Sequence, residues 1–190
     1  MVARIKNMRE VLILAGITEI NANGVTGFSI RRVADACNVS CAAPYKHFKD
    51  KKDFIAAIID YVNEQWAERQ QEIIAGCGES LRRQIVEVCV AYVEFLMEKP
   101  YYRSILMLKD EEFDNTYHKA RGQMSSRSQQ MEKEFFEASG MDEKTFRRKL
   151  QLIRALLFGT VYLCDTGEIE YNDETIANLR CNIDREFDLP

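Results

Sequence analysis

Hydrophobic residues recur at spacings of three and four along nearly the whole chain, as Ile5, Met8, Leu12 and Ala15 do near its start. Such spacing places apolar side chains on one face of an α-helix, whereas a half-buried strand alternates with a period of two. No segment alternates convincingly with a period of two. The pattern therefore predicts an all-α fold without a sheet.

Breaks in the helical pattern divide the chain into about nine helices. There are only three Pro and nine Gly among the 190 residues, too few for the regularly spaced turns of an all-β sandwich. The predicted helices span residues 4–22, 29–37, 41–48, 51–75, 79–99, 101–108, 114–139, 142–165 and 173–187.

Capping residues mark the ends of the early helices. Ser29 and Ser40 are placed so that their hydroxyl oxygens accept hydrogen bonds from the free amides of a first helical turn. Asn38 enters the left-handed region more easily than most residues, so it can end the second helix sharply. Asp50 and Asp53 stand at the N-cap and N3 positions of the fourth helix, a pattern similar to a capping box.

The second and third predicted helices are short and are joined by three residues, as in a helix-turn-helix unit. Buried apolar residues would fasten this pair to the first and fourth helices: Ile30, Val33, Ala34, Val39 and Phe48. The outward face of the third helix would then carry Ser40, Cys41, Ala42, Tyr45, Lys46 and His47. Small and polar side chains of this kind permit close approach to a DNA groove and to phosphates.

The charge of the chain is distributed unevenly. Residues 1–52 hold nine Lys and Arg against four acidic residues, whereas the rest of the chain holds 17 basic and 26 acidic residues. The overall formal charge of −4 hides this contrast. A basic N-terminal region on an acidic body favours a partner that carries phosphates, although a solvated charged face is the simpler alternative.

About 45 residues carry a resemblance to a known family. They comprise Leu12, Ile13, Ala15, Gly16, Ile20 and Gly24, then the runs Phe28 to Ala34, Asn38 to Ser40 and Tyr45 to Lys51. In this ordered set the chain resembles the tetracycline-repressor (TetR) family of bacterial transcription regulators. The resemblance implies an N-terminal helix-turn-helix DNA-binding domain over residues 1–50 and a larger helical domain for effector binding and dimerisation over residues 51–190.

The same resemblance implies roles for individual residues in DNA binding. Tyr45, His47 and Lys51 would contact the backbone, and Arg31 would reach a phosphate or a base. Ser40, Cys41, Ala42 and Lys46 would line the groove, and Ser29, the cap of the second helix, is also a predicted DNA-binding residue. Since Cys41 and Ala42 offer only van der Waals contacts, specificity should depend on few hydrogen bonds and on DNA shape.

Four positions depart from the usual family pattern. Glu19 stands where an apolar residue is common, Cys37 replaces a small Ala, and Asn38 replaces a turn Gly. Pro44 lies in the first turn of the third helix, where it removes one N–H and fixes the entry angle.

The remaining helices are expected to sense an effector and to dimerise. The resemblance implies that the last two helices pair with their copies in a homodimer whose two-fold axis matches a palindromic operator. Candidate dimerisation residues are Leu150, Ile153, Leu157, Val161, Ile176, Leu179 and Ile183. A second stripe on the penultimate helix, from Leu152 to Leu163, is expected to be buried as well.

Aromatic residues and Met between the fourth and eighth helices favour a small apolar or aromatic effector, although most such residues belong to a core. The candidate ligand-binding residues are Trp66, Phe95, Tyr101, Tyr102, Met107, Phe113, Tyr117 and Phe158.

Three other classes of function fit the sequence less well. An enzyme is not indicated, because only two His are present and no phosphate-binding Gly loop, nucleophile elbow or cofactor motif occurs. A cysteine-based metal or redox sensor on the same scaffold is an alternative that Cys37, Cys41 and His47 leave open, without a Cys-x-x-Cys pair. A helical adaptor that binds only proteins is the other alternative.

The location of the protein is expected to be cytoplasmic and reducing. No stretch of 18 apolar residues is present, so no membrane span is expected. The apolar run from Val11 to Ile17 is flanked by Glu10 and Glu19 and continues a helical pattern, so we interpret it as part of the first helix and not as a signal peptide.

Overall fold

The computed structural model describes residues 7–106 and 114–188, with side chains over 7–103 and 126–188. Within those ranges it contains eight α-helices and one 3₁₀ turn, and no strand. The helices are α1 (Met8–Asn23), α2 (Ile30–Ala36), α3 (Lys51–Gly76), α4 (Leu81–Glu98), α5 (Pro100–Leu106), α6 (Asp114–Ser139), α7 (Glu143–Asp165) and α8 (Asp173–Glu186), and the 3₁₀ turn is Pro44–Lys46. The predicted all-α class is confirmed.

The third predicted helix, over residues 41–48, is wrong as an α-helix. Only one 3₁₀ turn forms there, in which the His47 amide donates to the Pro44 carbonyl at 2.9 Å. Because Pro44 has no N–H, the Ser40 carbonyl accepts from Ala43 at 2.9 Å instead of from residue 44. We call residues 40–48 the reading segment.

The predicted caps of the neighbouring helices are present. The Ser29 hydroxyl accepts from the Arg32 amide at 3.4 Å, and Asn38 has a φ of 55° directly after α2. At the start of α3, the Asp50 carboxylate accepts from the Asp53 amide at 2.9 Å. The Asp53 carboxylate accepts in return from the Lys49 amide at 2.8 Å. These side chains satisfy amides that have no partner within a helix, which fixes where α2 and α3 begin.

The described residues fall into two compact units. The first comprises residues 7–65, 99–106 and 114–124, and the second comprises residues 66–98 and 125–188. In the first unit α1 packs on α2 and α5. Gly16 allows α1 to approach α3 closely, because a Cβ at Gly16 would lie 2.8 Å from the Ile58 Cδ1 and 3.1 Å from the Phe54 ring.

The second unit is built on the mutual packing of α4, α7 and α8. It also buries Lys149 of α7, whose ammonium donates to the Glu186 carbonyl at 2.6 Å and lies 3.9 Å from the Glu186 carboxylate. On the surface, the Arg82 guanidinium binds the Asp184 and Asp188 carboxylates at 2.7 and 2.6 Å. Cationic side chains thus hold the carbonyl end of α8, which favours positive charge.

Candidate nucleic-acid interface

The reading segment is anchored at its end by aromatic packing. Phe48 is 2% exposed, and its ring stacks on that of Phe54 with centroids 3.9 Å apart. Phe28 meets Phe54 edge to face at 5.3 Å. The Arg9 guanidinium lies 5.5 Å from the centre of the Phe48 ring. A rigid aromatic cluster of this kind fixes the segment between α2 and α3.

Side chains of the reading segment point outward, as the sequence indicated. Pro44 is buried. The six residues of the segment that were predicted to line or contact DNA are all exposed: Ser40, Cys41, Ala42, Tyr45, Lys46 and His47. Tyr45 is the largest of them and is 58% exposed. Arg31 on α2 is exposed as well, whereas Ser29 is half-buried and acts as the cap.

Lys51 is bound to the protein itself. Its ammonium donates to the Thr26 carbonyl at 3.0 Å, which ties the start of α3 to the loop before α2. An ammonium has three N–H donors, so two remain for a phosphate. The nearby amides of Lys49 and Asp53 already donate to carboxylates, so they are not available to an anion.

Glu19 has a role in the structure that its position in the sequence did not reveal. Glu19 is one of the few acidic residues in this basic region, and its carboxylate accepts from the Ser29 amide at 3.2 Å and from the Arg32 Nε at 2.8 Å. The hydrogen bond that Arg32 donates to Glu19 raises the pKa of Arg32 above its ordinary value. The signal was an acidic residue at an otherwise apolar helix position, paired with a basic residue 13 positions later.

Cys37 and Cys41 differ in exposure. Cys37 is half-buried, and burial raises the pKa of its thiol, whereas Cys41 is exposed. Across the part of the chain whose side chains are described, no group of three His, Cys, Asp or Glu is placed to hold a metal ion.

The candidate ligand-binding residues lie in different settings. Trp66 is buried and its ring is 5.3 Å from those of both Tyr92 and Phe95. Phe158 is 44% exposed and meets the Tyr92 ring edge to face at 6.4 Å. These residues belong to the second unit.

Tyr101 and Tyr102 belong to the first unit and are buried. The Tyr102 hydroxyl donates to the Asn63 carboxamide at 2.9 Å, and burial raises the pKa of Tyr101 to about 12. Met107 and Phe113 lie outside the described residues, as does the side chain of Tyr117.

The candidate dimerisation residues are core residues of the single chain. Leu150 is half-buried. The other six are buried: Ile153, Leu157, Val161, Ile176, Leu179 and Ile183. A side chain buried within its own chain has little area left to bury against a partner. The expectation that both stripes of α7 are buried is wrong. Leu152 on the second stripe is 42% exposed, and Tyr162 beside that stripe is 55% exposed.

None of the described helices has the length and apolarity that crossing a bilayer requires.

Comparisons with known proteins find a family model that matches part of the chain. Residues 12–58 match the model of the bacterial regulatory proteins of the tetR family. No curated protein matches the chain significantly.

Solved structures match over nearly the whole chain. The transcriptional regulator FadR from Bacillus subtilis, solved in complex with stearoyl-CoA, has a TM-score of 0.74 at 17% identity, over 93% of this chain and 96% of that one. A TetR transcriptional regulator from Legionella pneumophila has a TM-score of 0.70 at 19% identity, over 96% and 98%. Residues 12–58 are therefore similar to the bacterial regulatory proteins of the tetR family, and the chain shares the fold of these solved structures.

Proposed function

We propose that this protein is a homodimeric transcriptional repressor that binds a palindromic operator and is released from it by a small apolar or aromatic effector. The observation that carries the DNA-binding part is the exposed reading segment, which lies between α2 and α3 in the basic N-terminal region. The segment presents small side chains at its start and Tyr45, Lys46 and His47 at its end. Small groups permit close approach, and the larger polar groups reach phosphates and base edges.

The residues that we propose to contact DNA are those of the sequence prediction. Arg31 on α2 and Lys46 in the reading segment are exposed cations, and Lys51 keeps two N–H donors free. Cys41 and Ala42 supply only apolar contacts, so we expect sequence preference to come from Tyr45, Lys46, His47 and from DNA shape.

The experiment that tests DNA binding is selection of fragments from a genomic DNA library by the purified protein, followed by titration of the enriched duplex. We expect enrichment of an inverted repeat and weaker binding by Tyr45→Ala, with Lys133→Ala on α6 as the matched surface control. Absence of binding to any fragment at low salt contradicts the proposal and favours the adaptor. Binding that changes with chelator or mild oxidant favours the cysteine-based sensor.

The dimer proposal is supported by an open face on α7. Leu152, Ala155 and Tyr162 are exposed at helical spacing, and a Cβ added at Gly159 between them would meet no atom within 4 Å. Glycine inside a helix is unfavourable by about 1 kcal/mol relative to Ala. Since no atom of the described residues lies against this position, close approach of the partner's helix is the arrangement that would use the Gly.

The effector proposal is supported by the aromatic cluster of Trp66, Tyr92, Phe95 and Phe158. The structure of the Bacillus subtilis regulator holds stearoyl-CoA, so an apolar acyl chain is compatible with this fold. Trp66 is the only tryptophan of the chain, and its ring is in contact with two others of the cluster. It is therefore a built-in fluorescent reporter.

To test the effector proposal, we would titrate stearoyl-CoA and a panel of apolar aromatic compounds while recording Trp66 emission and DNA binding together. A compound that changes the emission and lowers DNA affinity over the same concentration range supports the proposal. The two must be coupled, because an effector shifts the equilibrium only through different affinities for the two states. A Trp66→Phe variant, which lacks the reporter, is the control for inner-filter effects.

A further inference from the structure

Glu19 is a half-buried residue on α1, and its side chain is 10% exposed. A buried charge is unfavourable unless it is paired and hydrogen-bonded, so its partners show what it does. Its Oε1 accepts from the Ser29 backbone amide at 3.2 Å, from the Arg32 Nε at 2.8 Å, and from the Arg32 Nη2. All three donors belong to the first turn of α2 or its cap.

Arg32 extends the same network to the loop between the two helices. Its Nη2 also donates to the Gly27 carbonyl, and its own amide donates to the Ser29 hydroxyl. One carboxylate and one guanidinium therefore join α1, the loop before α2 and the start of α2. Hydrogen bonds between charged groups are shorter and stronger than neutral ones and depend on direction.

We propose that Glu19 and Arg32 are positioning residues for DNA recognition, which set the orientation of α2 and thereby of the reading segment, and that Arg32 is not a phosphate contact. This inference rests on the proposed DNA binding. The mechanical reason is the short connection: Asn38 and Val39 alone separate Cys37, the C-cap of α2, from Ser40. A change in the angle of α2 therefore moves the base-reading side chains directly.

The adjacent residue offers a matched contrast. Arg31 and Arg32 are consecutive on α2 and both are exposed at the residue level. Arg32 is paired with Glu19, so its charge is compensated within the protein. Each phosphate that a protein neutralises adds about 0.9 to the slope of log affinity against log salt. Arg31 should contribute to that slope and Arg32 should not.

The experiment is a double-mutant cycle on the duplex that the wild-type protein enriches from a randomised library. The variants are Glu19→Leu, Arg32→Gln and the pair, with affinity measured by fluorescence anisotropy over a range of salt concentrations. We expect each single variant to bind about tenfold more weakly, the size of one charge-assisted hydrogen bond. The pair should bind no more weakly than either single variant, with the salt slope unchanged for Arg32→Gln and for the pair.

Arg31→Ala should behave differently. It should lower the salt slope by about one, and its loss should add to that of Glu19→Leu. Additive losses for Glu19 and Arg32, a lower slope for Arg32→Gln, or unchanged affinity in both single variants would each overturn the inference.

Folding is controlled within the same set. Helicity and thermal unfolding are recorded for each variant, and Glu19→Gln, which keeps the size of the side chain and one acceptor oxygen, replaces Glu19→Leu if the latter unfolds. Should the wild-type protein enrich no duplex, the proposed function fails. Should it enrich one while the cycle shows no coupling, only this inference fails.

Discussion

Asn38 holds the left-handed conformation that turns the chain from α2 toward the reading segment. Its φ of 55° is the only positive φ at a non-glycine position among the described residues. The left-handed conformation is unfavourable by about 1–2 kcal/mol for an L-residue with a Cβ. It is less unfavourable for Asn, whose short polar side chain can form local hydrogen bonds. A single residue thus determines the direction of the segment that follows it.

Replacing Asn38 tests this directly. Asn38→Ala should lower the free energy of unfolding by about 1 kcal/mol, whereas Asn38→Gly should leave it unchanged or raise it slightly. Urea denaturation followed by circular dichroism measures both values. Equal stability of the Ala and Gly variants would show that the backbone conformation is not what Asn38 provides.

Lys51 is predicted to make one phosphate contact in addition to its bond with Thr26. Lys51→Ala should weaken binding to all sequences alike and lower the salt slope by about one. The measurement is a salt titration by fluorescence anisotropy with the enriched duplex and with a scrambled one. Lys51→Ala also removes the hydrogen bond to Thr26. If the variant has an unchanged salt slope but a lower thermal stability, Lys51 stabilises the loop and makes no phosphate contact.

At the scale of the element, the reading segment differs from the helix that its sequence pattern predicts. Six exposed positions and a buried Phe48 fit a short amphipathic helix, yet only the turn Pro44–Lys46 forms. The cause is one missing N–H at Pro44 within a segment too short to compensate for it. A segment this short is held mainly by its ends, at Asn38 and at the stack of Phe48 on Phe54.

A substitution at this position should restore the helix. Pro44→Ala supplies an N–H that can donate to the Ser40 carbonyl, so we expect residues 41–47 to shift toward α-helical backbone chemical shifts in NMR spectra. Pro44→Gly is the control, because it supplies the same N–H but disfavours helix by about 1 kcal/mol. Identical shifts in both variants would show that helix propensity does not limit the segment.

At the scale of the whole molecule, the open face of α7 determines the assembly that we propose. The opposite face of the same helix, with Ile153, Leu157 and Val161, is buried within the chain. Apolar residues on both sides of a helix need two partners, and the single chain supplies one. A second copy of α7 is the partner that a two-fold axis would provide.

The dimer is tested by placing a charge on the open face. Tyr162→Glu should convert the dimer to monomer at micromolar concentration, because an unpaired carboxylate would be buried at the interface. Arg147→Ala is the matched control, because this side chain on α7 is 76% exposed and is paired with Glu143 one turn earlier in the same helix. Sedimentation equilibrium measures the mass of each. A wild-type monomer, or a Tyr162→Glu dimer, would rule out this face as the interface.

The sequence by itself determined the helical class, most helix boundaries, the caps at Ser29, Asn38, Asp50 and Asp53, and the exposed side of the reading segment. These features follow from local rules, since spacing and capping act within a few residues of the chain. The family resemblance, confirmed over residues 12–58, added the regulator class.

Only the tertiary structure decided which stripe of α7 is buried and which is exposed. Both stripes are apolar, so the difference arises from which of them α4 and α8 pack against. It likewise joined Glu19 to Arg32 and Lys51 to Thr26, pairs that lie 13 and 25 residues apart in sequence. A local pattern does not encode such pairings, since they form only when separate helices and loops pack side by side.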